Sequence, residues 1–138
     1  MIRQDKFSLT GSANKIIHGD ITFDDTNPTL PLVIFVHGFK GFKDWGAHNL
    51  IAHYFAQSGF RFLKFNFSHN GVKENRPDDV SDLESFASNT VSKELYDLGQ
   101  VISFACDKEN FNAISNVYLI GHSRGGVRRR YTGNLCLE

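Results

Sequence analysis

The chain has 138 residues, with 15 Lys plus Arg against 15 Asp plus Glu and hence no formal net charge. That length suits one domain with a sizeable core, and a content of 41% hydrophobic and 22% charged residues is ordinary for a globular protein. The even balance gives no electrostatic basis for a nucleic-acid or membrane-surface partner, and two cysteines without C-x-x-C or metal-ligand spacing give neither a disulfide framework nor a metal site. No apolar leader follows Met1, and no apolar run is long enough to span a membrane, so the expected compartment is the cytoplasm.

Two short apolar stretches open the chain, at residues 7–9 and 15–23. In the second, Ile17, Gly19 and Ile21 alternate imperfectly with His18 and Asp20, which predicts an exposed antiparallel strand. Residues 24–28 carry turn chemistry. Leu32-Val33-Ile34-Phe35-Val36 is apolar without alternation, as in a strand buried on both faces of a parallel sheet. A helix is then predicted from Asp44 as cap to about Ser58, with Ala47, Leu50, Ile51, Tyr54 and Phe55 as its apolar face and Gly59 as its left-handed stop. Residues 60–67 read as an aromatic strand. Ser81 and Glu84 form an S-x-x-E capping box, and a further helix carries Val91, Leu95, Leu98, Ile102 and Ala105 on one face, weakened by Gly99. Residues 116–120 are another short buried strand. Alternation of strand and helix predicts an α/β fold with a mainly parallel sheet flanked by helices.

That last strand runs straight into Gly121-His122-Ser123-Arg124-Gly125-Gly126. A serine hydroxyl is a weak nucleophile and must be presented where a base can reach it. A sharp strand-to-helix turn does this in G-x-S-x-G, with small residues flanking the serine because side chains there would strike the strand or the helix. The pattern alone is unspecific, since Gly and Ser are common, but the strand ahead of it supplies the context it needs. Ser123 is therefore the candidate nucleophile. A second motif, His37-Gly38-Phe39-Lys40-Gly41, follows the run ending at Val36. A tetrahedral intermediate needs two preorganised N–H donors, and the residues placed to give them are Phe39 and Arg124.

With these motifs the chain resembles the α/β-hydrolase superfamily, nearest to its dienelactone-hydrolase and serine-aminopeptidase-like branches, over most of its length to about Gly126. The resemblance implies a mainly parallel eight-stranded sheet, hydrolysis of a small-molecule ester or amide through an acyl-enzyme, and no cofactor. In that superfamily an Asp or Glu and then a His follow the nucleophile. Here neither His nor Asp follows Ser123, and the one acid that does is Glu138. Val127-Arg128-Arg129-Arg130, followed by Gly133, also does not read as a packed amphipathic helix. Residues 1–126 are thus expected to be a partial hydrolase domain and 127–138 a basic tail foreign to it, joined where the reading frame or gene was interrupted. A product of that kind would be truncated and inactive, or would persist as a non-catalytic binding module. The strand at 116–120 would become an exposed sheet edge through which chains self-associate.

Upstream histidines offer little replacement for the missing base. His37 fits a structural role in the oxyanion loop, His69 a turn, and His122 is expected to point away from Ser123. Other chemistries find less support. His48 and His53 are five residues apart and so fall on different helix faces, which argues against a zinc pair. There is no phosphate-binding G-x-x-x-x-G-K-[ST] or dinucleotide-binding G-x-G-x-x-G pattern, and one Arg-Gly-Gly inside the elbow is no nucleic-acid motif.

Overall fold

The computed structural model describes residues 1–27, 29–111, 114 and 116–129. Five strands form one sheet in the order β1-β2-β4-β3-β5: β1 (Ile2–Thr10), β2 (Ile16–Asp24), β3 (Leu32–Val36), β4 (Arg61–Phe65) and β5 (Val117–Gly121). β1 and β2 form an antiparallel hairpin, and β2 pairs antiparallel with β4. β4, β3 and β5 run parallel. The helices are α1 (His48–Gln57), α2 (Leu83–Ala87), α3 (Val91–Cys106) and α4 (Arg124–Arg129). α1 packs on one face of the sheet against Val33, Phe35 and Phe62, and α3 packs on the other against Ile34, Val36, Leu63 and Phe65. This double cover explains why β3 reads as an unbroken apolar run: all five of its residues are buried.

Several local expectations are corrected. β2 is an interior strand between β1 and β4 rather than an exposed one, with Ile17 and Asp20 inaccessible to solvent. Its Gly19 lies under Phe7 of β1, whose ring fills the space a Cβ would need. Asp44 does not cap α1, because its carboxylate is held by Lys43 and Lys64 at 2.6 and 2.7 Å and the helix starts four residues later. The buried face of α1 is His48, Ala52 and Ala56, with Phe55 half-buried, while Leu50 and Tyr54 are 75% and 69% exposed. The sheet already presents Phe35 and Phe62 here, so small alanines let the helix approach closely and the larger side chains face outward. Gly59, at φ 88°, ends α1 as expected, with Phe60 N–H donating to Phe55 C=O at 3.1 Å.

The capping box is likewise displaced by one residue. Asp82, not Ser81, caps α2 and accepts from Ser85 N–H at 3.2 Å. α2 is separate from α3, which begins on its own cap, Thr90. On α3 the buried stripe is Glu94, Asp97, Leu98, Val101 and Ala105; Val91 faces solvent. Of the 127–138 tail, residues 130–138 lie outside the described residues, as does Pro28 of the predicted turn.

Candidate active site

The site is built where β3 and β5 leave the sheet side by side. The ladder pairs Val36 with Gly121, and His122 N–H donates to Val36 C=O at 2.9 Å, so both chains emerge at one point on the sheet edge. β5 then turns into α4 within two residues. Ser123 occupies that turn at φ 55°, in the left-handed region that a non-glycine residue seldom adopts. The bend is closed by Gly125 N–H to His122 C=O at 2.9 Å and Gly126 N–H to Ser123 C=O at 3.0 Å.

Steric demand fixes the residue types around it. A Cβ on Gly121 would stand 2.4 Å from Gly126 Cα, and one on Gly125 would stand 2.2 Å from the Val36 carbonyl oxygen. Strand, bend and helix are thus packed backbone to backbone, and only glycine fits at both places. Ser123 itself is exposed.

The loop after β3 lies against this bend. A Cβ on Gly38 would be 3.1 Å from the His122 carbonyl oxygen and 3.2 Å from Ser123 Cβ. His37 is buried beneath the loop: its Nδ1–H donates to Gly38 C=O at 2.9 Å, and its Nε2 accepts from Phe67 N–H at 3.2 Å. These partners need a neutral ring, and burial lowers the His37 pKa to about 4 from its ordinary 6.5, against a smaller opposing effect of the Gly38 carbonyl. Phe39 follows, 57% exposed, and Lys40 turns the loop at φ 57°. Neither the Phe39 nor the Arg124 N–H has an acceptor among the described residues.

Phe39 and the Ser123-Arg124 pair, chosen from two separated stretches of sequence, are therefore neighbours. The Arg124 guanidinium lies over the Phe39 ring at 5.3 Å. Of the upstream histidines, none hydrogen-bonds Ser123. His37 has both ring nitrogens engaged, and His69 is buried with Nδ1 on Ser68 Oγ at 2.7 Å. The His122 ring stands 6.4 Å from the rings of Trp45 and His48.

Sequence reading missed the acids that brace this region. Asp97, 1% exposed, accepts from Ser12 N–H at 2.8 Å and from Ser68 N–H and Oγ at 2.7 and 2.6 Å, tying two loops to α3. Glu94, one turn earlier, meets Arg124 Nε at 3.8 Å. Both lie at helical spacing with Leu98 and Val101, but a carboxylate in such a stripe is ordinarily read as its solvent margin. A hollow of about 590 Å³ lies elsewhere, beside the β1–β2 hairpin, lined by Gln4, Phe7, His18, Thr22 and His53 among others, and does not include Ser123.

Several solved structures superpose on this architecture. Esterase Est22 matches with a TM-score of 0.70 at 16% identity, covering 92% of this chain and 36% of that one. Est1E from Butyrivibrio proteoclasticus gives 0.68 at 18% identity, over 89% and 45% of the two chains. The epoxide hydrolase VrEH1 from Vigna radiata gives 0.63 at 18% identity, over 93% and 34%. The chain has the α/β-hydrolase fold. In sequence, the chain is 30% identical over 104 residues to "Putative esterase YitV" of Bacillus subtilis (strain 168), a match covering 75% of this chain and 39% of that protein. It thus spans about two fifths of that relative's length. No protein-family model matches the sequence. Among the described residues no helix is long and apolar enough to cross a membrane.

Proposed function

We propose that this chain is the nucleophile-bearing part of a serine hydrolase that cleaves small carboxylic esters or amides through an acyl-enzyme. The single observation that carries the reading is Ser123, exposed at φ 55° on the bend between β5 and α4, with Gly38 of the neighbouring loop against its Cβ. Strain of this kind persists only where the surrounding packing enforces it, and here three glycine positions do. In the reaction, Ser123 Oγ would attack the substrate carbonyl carbon as its proton passes to a base. The carbonyl oxygen would take up negative charge between the Phe39 and Arg124 N–H groups, and the alcohol or amine would leave with a proton. Water would then release the acid and restore the serine. No cofactor is needed for these steps. The 30% identity to a protein named as an esterase favours ester chemistry within a fold that also serves epoxide hydrolysis.

The base is what the 138 residues lack: no His or Asp follows Ser123, His37 is buried with both ring nitrogens engaged, and His69 is buried with its Nδ1 on Ser68 Oγ. We therefore take residues 1–126 as the hydrolase portion and expect the 138 residues alone to turn over esters close to background, since loss of a triad member costs orders of magnitude in rate. A fluorophosphonate probe and a p-nitrophenyl ester assay test this on purified chain. Labelling that vanishes in Ser123→Ala supports a live nucleophile. A folded chain that never labels, even slowly at high probe concentration, points instead to a non-catalytic binding module built on the same fold.

A further inference from the structure

The two proposed oxyanion donors come from different strands, and the sheet fixes them only in part. The ladder ends at Val36 and Gly121, with one further hydrogen bond at His122. Beyond it, the 37–41 loop contains Gly38 and Gly41, turns at Lys40 with φ 57°, and is crossed by a single backbone bond, Gly41 N–H to Gly38 C=O at 3.0 Å. His37 holds this loop from inside. Among the described residues, no backbone hydrogen bond holds Phe39 from outside.

The side chains do. The Phe39 ring, although largely exposed, lies 5.7 Å from the Phe86 ring of α2 and 5.3 Å from the Arg124 guanidinium at the start of α4. Lys40 Nζ stands 5.7 Å from the same ring. Cations within about 6 Å of an aromatic centroid are attracted to the ring face. Arg124 in turn reaches the buried Glu94 of α3, whose other carboxylate oxygen accepts from Asn89 Nδ2 at 2.9 Å. Phe86 sits over Gly71, where its Cβ would be 3.0 Å from an added Cβ. One continuous stack therefore runs from α2 through Phe39 and Arg124 to α3, across the mouth of the site.

Resting on the hydrolase reading above, we infer that the Phe39 and Arg124 side chains form a clasp that sets the spacing of their own backbone N–H groups, with Phe86 and Glu94 as its anchors. These are positioning roles, exerted through the backbone. They matter because oxyanion donors act over a narrow range, about 2.7–3.1 Å, and because misplacement by an ångström can cost about a hundredfold.

Backbone 15N relaxation on the whole 138-residue chain reads the clasp directly, and fluorophosphonate labelling of Ser123 reads the hydrolase separately. In the unaltered chain the Phe39 amide should have an order parameter near that of rigid backbone, about 0.85. Arg124→Gln and Phe39→Leu should drop it below about 0.7, leave the β1–β4 amides unchanged, and slow labelling about tenfold. Phe39→Tyr, which keeps the ring, should restore both, and Glu94→Gln should show a smaller loss of the same kind. A Phe39 amide that stays rigid in both Arg124→Gln and Phe39→Leu overturns the clasp whatever the labelling does. A clasp that loosens as described in a chain that never labels leaves the side-chain coupling standing and removes Ser123 as a live nucleophile in this chain instead.

Discussion

At Gly125 and Gly99 the same substitution has opposite consequences, because space and backbone differ. A methyl group on Gly125 would meet the Val36 carbonyl oxygen at 2.2 Å, with no flexible side chain able to yield. Gly125→Ala should destabilise the fold by about 1–3 kcal/mol. Gly99 lies inside α3 with nothing within 4 Å of an added Cβ. Gly99→Ala should stabilise by about 0.5–1 kcal/mol through helix propensity alone. Urea melts of the two variants check both signs. His37 gives a pH prediction at the same scale. The unfolded imidazole takes a proton near pH 6.5, whereas the folded one does so only at about 4, so between these values the unfolded chain binds the extra proton. The contribution of His37 is complete above about pH 6.5 and is lost as the pH falls towards 4, at most about 3 kcal/mol. His48 and His69, also buried and shifted down, act in the same direction. Thermal melts should show a falling midpoint from pH 7 to 4.5, with a shallower fall in His37→Gln.

Among the elements, the contact between β2, β4 and the loop entering α1 is held by charge. Lys64, fully buried on β4, meets Asp20 of β2 at 2.8 Å and Asp44 at 2.7 Å, and Lys43 meets the same two carboxylates at 2.7 and 2.6 Å. The four alternate in sign, which satisfies each group but makes removal of one costly. Lys64→Met fills the volume and leaves Asp20 buried with half its compensation, so the expected loss is about 3–5 kcal/mol. A denaturation midpoint unchanged in Lys64→Met would contradict this. The same quartet explains why Asp44 reads in sequence as a helix cap and is not one: in the fold its carboxylate has two cations to choose over a backbone N–H.

For the molecule as a whole, β5 is the outermost strand and pairs only with β3 among the described residues. Tyr118 and Ile120 on it are 47% and 38% exposed. An apolar edge with open backbone groups invites strand addition, so the 138-residue chain should self-associate with rising concentration. Tyr118→Lys should weaken that association, and multi-angle light scattering over a concentration series measures it. A monodisperse monomer across the series would remove the expectation.

The chain's own letters determined the class of architecture, the order of strands and helices, and the bend that carries Ser123. Those features arise from neighbours in sequence: an unbroken apolar run for β3, covered on both sides, and Gly121 and Gly125, where backbone meets backbone. β5, expected to be buried, is instead half exposed at the sheet edge. Which face of α1 turned inward, which acid capped α2, and where Asp97, Glu94 and Lys64 would be buried were decided by packing alone. A side chain's partner across the sheet, and the room left beside it, are set by residues tens of positions away, and no local period records them.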